Sequence, residues 1–385
     1  MSSRRFKLAS IAAGVALAIV GTAAQASHFR GAAMIPTVDA SGLLTVTTTS
    51  FWRNGAATGV SAFVSGGGGA TNVSTAPRID STADSRFTKS TNVQTYRLNG
   101  AGTYNITGSS CCRVEGINNW SGSSSVSWTM NSTIVWDGVS AKTPILFNFS
   151  AVQPEVVRGV AYSGNLGAVG GAGITLSYNQ VLNGIPAQPP GFTVNAATGA
   201  LSISAANTAA YLDNSAGNPG ADYAFSGNIL ASDGSSVEFD WLFDAVSTAS
   251  NNAPAVNDVI INALVGSSVN TTLTAADDGL PTPPGALTWT DIGLISPQGS
   301  CSFLPSFNTT TQALTWNTTG CAIGSYIYQV QVSDSSLTDV GIITVNLAAG
   351  NGGGNVPEPA TLYLLGFGVL GLGVMSRRRK MSGKS

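Results

Sequence analysis

The chain holds one histidine, His28, and charged residues make up only 9% of its 385 residues. A Ser-His-Asp or Cys-His nucleophile would have to be built on that single imidazole, which stands second after an expected cleavage point, where chains are poorly ordered. One histidine and two separated cysteine pairs also lack the spacing of a zinc site. With a formal net charge of −2 the chain offers no basic surface to a polyanion, so nucleic acid is not an expected partner. No long helical period runs through the body of the chain. What recurs is alternation with a period of two, broken by clusters of Gly, Asn, Asp and Pro, as in short strands of β-sandwiches.

Hydrophobic residues nevertheless make up 43% of the chain, with seven tryptophans, enough for packed cores. Arg4, Arg5 and Lys7, an apolar run from Leu8 to Ala23, and the small-x-small group Ala24, Gln25, Ala26 read as a secretory signal peptide over 1–26. Ser27 then becomes the first residue. Four cysteines in an exported chain are expected to be oxidised. Cys301 and Cys321 flank a strand-rich segment, and a bond between them is expected to stabilise the fold by about 3 kcal/mol through loop closure. Cys111 and Cys112 are adjacent. A vicinal bond or a buried free pair is favoured over a cross-link to another molecule.

The other end carries Pro357, Glu358 and Pro359, an uncharged apolar run from Leu362 to Met375, and the basic group Arg377, Arg378, Arg379, Lys380. The two prolines fix φ and remove two backbone donors, so the segment stays extended, in a form that a protease can bind. The apolar run is shorter than the ~20 residues of a spanning helix and suits a temporary anchor, held by positive charge on the cytoplasmic side. This order of features resembles the PEP-CTERM sorting signal of Gram-negative bacteria, placed here at 356–380. The resemblance implies cleavage by an exosortase near Pro357, Glu358 and Pro359, transient contact with the inner membrane, and delivery to the cell surface or the extracellular space.

Between the two ends, three units are expected: a loop-rich β domain over 27–138, and two β-sandwiches over 139–250 and 251–347. A Gly/Asn-rich linker follows over 348–355. The last two units look like copies. Val194–Ile203 matches Phe307–Trp316 with Asn, Thr, Ala and Leu in corresponding places, and Phe225–Asp233 matches Tyr326–Asp334. Thr198-Gly-Ala-Leu-Ser-Ile203, Ala231-Ser-Asp-Gly234, Asn252-Ala-Pro254 and Ala276-Asp-Asp-Gly279 resemble the immunoglobulin-like and cadherin-like modules of bacterial surface proteins. The expected fold class is therefore all-β, with tandem antiparallel sandwiches. The junction Ser250-Asn-Asn-Ala-Pro254 departs from the cadherin pattern in having no carboxylate before Asp258.

Few residues are candidates for chemistry. Glu238 and Asp240 lie two apart on one strand, about 6 to 7 Å between side-chain origins, a separation that suits glycoside hydrolysis or a cation. A solvated outer face opposite Val237, Phe239, Trp241 and Phe243 is the favoured reading. Asp277, Asp278 and Asp334, with Asp233, are weak calcium candidates, better read as turn residues bonding their own backbones. No cofactor is expected, and the tryptophans are read as core rather than as a sugar platform. The sequence thus points to a secreted, non-enzymatic surface or extracellular-matrix protein acting in adhesion, with exopolysaccharide or other surface proteins as partners. A carbohydrate-binding or carbohydrate-active secreted protein is the alternative.

Overall fold

The computed structural model describes residues 29–349 apart from 55–58, 82–86, 115, 121–126, 150–154, 183, 215–220, 282–284 and 297–300. Strands dominate the described residues. The α-helix found there, α1 (Ala205–Ala209), is a five-residue turn opened by Ser204, whose hydroxyl accepts from the Asn207 amide. The N-terminal part forms β1 (Phe29–Val38), β2 (Leu43–Arg53), β3 (Ala62–Gly66), β4 (Ala70–Thr75), β5 (Ile79–Ser81), β6 (Phe87–Leu98), β7 (Gly102–Ser110) and β8 (Trp128–Trp136). The middle part forms β9 (Ile145–Leu146), β10 (Glu155–Val157), β11 (Tyr162–Asn165), β12 (Val169–Gly170), β13 (Leu176–Gln180), β14 (Thr193–Val194), β15 (Ala200–Ile203), β16 (Tyr223–Ala231) and β17 (Ser236–Val246). The C-terminal part forms β18 (Ala255–Val256), β19 (Val259–Leu264), β20 (Ser268–Thr272), β21 (Ala275–Ala276), β22 (Thr288–Ser296), β23 (Ser306–Asn308), β24 (Ala313–Asn317), β25 (Gly324–Ser333) and β26 (Thr338–Ala348).

The middle and C-terminal parts are built on one plan. A three-stranded sheet, β11-β15-β14 in one and β20-β24-β23 in the other, faces a sheet whose last strand receives an early strand in parallel: β10 on β17, and β19 on β26. This is an immunoglobulin-like strand order, and it confirms the expected all-β fold. The matched stretches form equivalent hairpins. Asn195 Oδ1 accepts from the amides of Ala197 and Thr198, and Asn308 Oδ1 from those of Thr310 and Thr311. The residue closing each hairpin has positive φ, 67° at Gly199 and 54° at Gln312. Leu201 and Ile203 in one copy, and Leu314 and Trp316 in the other, are buried in their cores.

The expected boundary between 138 and 139 does not hold, because one sheet crosses it. Its order runs β3-β7-β8-β17-β1-β2-β6-β4, so the last strand of the middle sandwich sits between two N-terminal strands. Val237 pairs with Ser132 of β8, and Trp241 with Gly31 of β1. A Cβ on Gly31 would stand 2.4 Å from the Asp240 carbonyl oxygen, so this approach of β1 to β17 requires glycine. Joined in this way, β1 is buried on both faces. Ala32, Met34 and Val38 enter the N-terminal core with Leu44, Val46, Tyr104, Ile106 and Met130, while Ala33 and Ile35 enter the middle core with Phe147, Phe225 and Phe239. A strand buried on both sides has no reason to alternate, which is why the region reads poorly in sequence. In β8, by contrast, Trp128, Met130, Ile134 and Trp136 are buried and alternate with Thr129, Asn131, Thr133 and Val135.

The N-terminal sheet coils until its ends meet across that core. The Ala62 amide of β3 donates to Gln94 Oε1 of β6 at 2.6 Å, and the Tyr96 hydroxyl donates to the Ala62 carbonyl. The glycine run ends β3 in a turn closed by the Gly69 amide on the Gly66 carbonyl, with positive φ at Gly66, Gly67 and Gly69. The outer face of β2 and β6 is lined with threonine and does not meet solvent. Thr45, Thr47, Thr49, Thr91 and Thr95 are buried. The C-terminal sandwich covers this region: Ile327, Val340 and Ile342 pack with Ala76 and Val93, and the Thr45 hydroxyl donates to Asn346 Oδ1. The described residues up to Ala348 thus form one compact unit, in which the two sandwiches pack with the N-terminal sheet.

Candidate functional site

Several sequence-level sites lie outside the described residues: Ala24, Ala26 and Ser27 at the expected cleavage point, His28, and Pro357, Glu358 and Pro359 with the apolar run behind them. Among the described residues no helix is long and apolar enough to cross a membrane.

The favoured reading of the β17 acids is corrected by the structure. Val237, Phe239, Trp241 and Phe243 are buried, as expected, but Asp240 and Asp244 on the opposite face are buried too. Solvent is excluded because Val114, Ile117 and Trp120 cover that face, packing with Ile185, Ala224 and Leu242. Arg113 donates to Asp240 Oδ2 from Nε at 2.8 Å and from Nη2 at 2.5 Å, while the Ser226 hydroxyl donates to Oδ1. The guanidinium also lies 4.4 Å from the Trp120 ring centre. Burial pushes the Asp240 carboxyl up, against the pull of Arg113. Arg30 forks onto both oxygens of Asp244 at 3.0 Å. Glu238 Oε2 accepts from the backbone and side-chain amides of Asn131. Asp240 is therefore committed to a buried ion pair, and Glu238 to holding β8 against β17.

The weak calcium candidates sit at the junction of the two sandwiches. Asp277 Oδ2 accepts from the Gly279 amide and Asp278 Oδ1 from that of Leu280. Asp334 Oδ1 accepts from the amides of Ser336 and Leu337. Asn251 and Asn252 of the linker donate to Asp334 Oδ2 and Asp278 Oδ2. Desolvation raises the Asp277 pKa, and the charges of Asp278 and Asp334 add to the rise. Asp233 likewise accepts from the Ser235 amide in its own turn. Among the described residues no group of three or more His, Cys, Asp or Glu is placed to hold a metal ion.

Sequence reading missed a third charged group. Lys89 of β6, 5% exposed, meets Asp339 of β26 at 2.8 Å and donates to the Val340 carbonyl at 2.9 Å. Asp258 lies beside them, accepting from the Ile342 amide. Desolvation pushes Asp258 up, Lys89 opposes it, and the charge of Asp339 adds to the rise. For Lys89 desolvation acts downward, but the two carboxylates outweigh it and the net direction is upward. The available signal was the rarity of charge: a lysine inside a threonine-rich strand of so uncharged a chain needs a partner. Two disulfides complete the polar chemistry. Cys301 is bonded to Cys321, and Cys111 to Cys112 across a cis peptide. Six of the seven tryptophans are buried, which leaves no row of them for stacking on sugars.

Comparison with known proteins identifies one end of the chain. Residues 355–380 match the PEP-CTERM protein-sorting motif. The chain therefore carries the expected sorting signal, which marks it for export and for exosortase-dependent placement at the cell surface or outside the cell. No curated protein matches the chain. Similar solved structures include a chimeric titin Z1Z2 carrying an exogenous decorin peptide, at 15% identity, covering 54% of this chain and 97% of that one with a TM-score of 0.17. The PKD domain of human KIAA0319 is 20% identical over 29% of this chain and 100% of its own, with a TM-score of 0.18. The endo-fucoidan hydrolase MfFcnA4 of glycoside hydrolase family 107 is 13% identical over 82% of this chain and 43% of its own, with a TM-score of 0.20. At such scores no overall superposition is shared, and the strand pairing carries the fold assignment.

Proposed function

We propose that this chain is a non-enzymatic building element of the bacterial surface or extracellular matrix, acting in adhesion after its sorting signal has been processed. The observation that carries this reading is the PEP-CTERM motif at 355–380, behind a compact body whose β17 acids are spent on internal contacts. A glycosidase needs two carboxyl groups open to a sugar on either side of its scissile bond. Asp240, gripped by Arg113 and Ser226, is a poor candidate for that work. Exopolysaccharide and other surface proteins are the partners that such a matrix element would meet.

The test follows the chain through export. In a strain lacking its exosortase, or with Pro357, Glu358 and Pro359 replaced by alanine, the uncut precursor should collect in the inner membrane. Purified mature protein should then sediment with exopolysaccharide or with cells while releasing no sugar from it. Measurable hydrolysis would turn the reading towards a carbohydrate-active enzyme. Unchanged processing after the alanine replacements would separate the motif from sorting.

A further inference from the structure

The group formed by Lys89, Asp339 and Asp258 has the parts of an amide-forming site. Lys89 Nζ stands 2.8 Å from Asp339 Oδ1, and the other oxygen, Oδ2, accepts from the Val256 amide at 3.1 Å. Lys89 and Asp339 are both nearly excluded from water, and Val93, Val340 and Ile342 form an apolar cluster at the same interface. Asp258 acts electrostatically on both members of the pair, and it is positioned by the Ile342 amide and the Thr49 hydroxyl. Two buried carboxylates share one lysine here, so the group keeps an excess of negative charge away from water, which is costly. An amide would remove both charges of the pair.

We propose that Lys89 and Asp339 become joined by an intramolecular isopeptide bond that ties the N-terminal sheet to the C-terminal sandwich. The step balances without a co-reactant. A proton passes from the Lys89 ammonium to Asp339 Oδ1, giving a neutral amine beside a neutral acid. The nitrogen lone pair then attacks Cγ, forming the N–C bond as the carbonyl pair moves onto Oδ2, which the Val256 amide holds as an oxyanion. Asp258 takes one proton from nitrogen and returns one to Oδ1. The Cγ–Oδ1 bond breaks, water leaves and the carbonyl re-forms on Oδ2. Nothing is oxidised or reduced. A transient neutral pair is enough, because hydrolysis is slow where water is scarce. Asp258 returns to its starting state and is the proton-relay residue of the site.

Intact-mass measurement of the purified mature protein, with its disulfides reduced, tests this without any variant. A chain lighter by one water, and a proteolytic peptide in which Lys89 is joined to Asp339, are the expected results. A chain of full mass with Lys89 and Asp339 in separate peptides overturns the proposal. Lys89→Arg keeps the positive charge and should restore the lost water. Asp258→Asn keeps the shape of the relay residue and should leave most molecules at full mass while circular dichroism stays unchanged. If the Asp258→Asn protein still loses the water, the assignment of the relay to Asp258 is wrong.

Discussion

The middle and C-terminal sandwiches share a strand order, yet they are held in the molecule differently, and the difference lies in their last strands. Strand β17 gives part of its open edge to β1 and β8, so the middle sandwich is continuous with the N-terminal sheet through backbone hydrogen bonds. Strand β26 is paired with β19 from Val259 to Leu264 and meets the N-terminal sheet through side chains, Asn346 with Thr45 and Asp339 with Lys89. Each last strand carries aspartate paired with a cation from outside its own sandwich: Asp240 with Arg113 and Asp244 with Arg30 in one, Asp339 with Lys89 in the other. A repeated fold thus specifies its core twice but its place in the molecule only through residues that the copies do not share.

The largest effect should come from breaking the middle attachment. Arg113→Ala leaves Asp240 buried beside Ser226 with no cation, and removal of one partner of a buried pair costs about 3–5 kcal/mol. Urea unfolding combined with hydrogen exchange should show that loss in β1, β8, β16 and β17, with the C-terminal sandwich less affected. Replacing both partners by apolar residues, Arg113→Met with Asp240→Leu, should recover much of it. A loss under ~1 kcal/mol from the single change would mean that Asp240 is held by something other than Arg113.

Next comes the C-terminal copy, whose counterpart has no cysteine. Cys301→Ser with Cys321→Ser opens a link spanning 20 positions and should cost about 3 kcal/mol, confined to the C-terminal sandwich. A loss spread evenly over both sandwiches in hydrogen exchange would show that they unfold as one.

A reciprocal exchange at the matched hairpins sharpens the comparison further. Gly199 and Gln312 hold the same left-handed position, where a side chain costs about 1–2 kcal/mol. Gln312→Gly should stabilise its sandwich by up to about that amount. Gly199→Gln should destabilise by more, since its Cβ would stand 2.8 Å from the Tyr178 ring. Equal and opposite shifts in the denaturation midpoint would argue that the ring moves aside freely.

The smallest effect concerns pH. Burial raises the Asp222 carboxyl above its ordinary value of 3.8, although the Ala245 and Asn214 amides oppose the rise. A raised folded-state pKa means that the native chain binds this proton more tightly than the unfolded one. Its contribution is therefore fully present below about 3.8 and is lost as pH rises through the folded value. Asp222→Asn should flatten that part of the curve of urea midpoint against pH. An unchanged slope would remove Asp222 as its cause.

Much of this was legible because alternation reports burial of one face only. Trp128, Met130, Ile134 and Trp136 of β8, and Val237, Phe239, Trp241 and Phe243 of β17, all lie where a period of two places them. The paired hairpins were readable for a similar local reason: Asn195 and Asn308 bond amides two and three residues on, so their geometry is written within a few positions. Opposite faces are another matter. Nothing near Asp240 in sequence announces Arg113, 127 positions away, and nothing near Lys89 announces Asp339.

By itself, the sequence determined the local elements of this protein and its sorting address, since turns, strand alternation and the tail motif depend on neighbouring residues. Tertiary structure alone decided that β1 has two cores, that the threonine face of β2 and β6 is covered, and which carboxylates lose their water. The physical reason is that desolvation and ion pairing depend on what stands on the far side of a sheet, which a period of two does not encode.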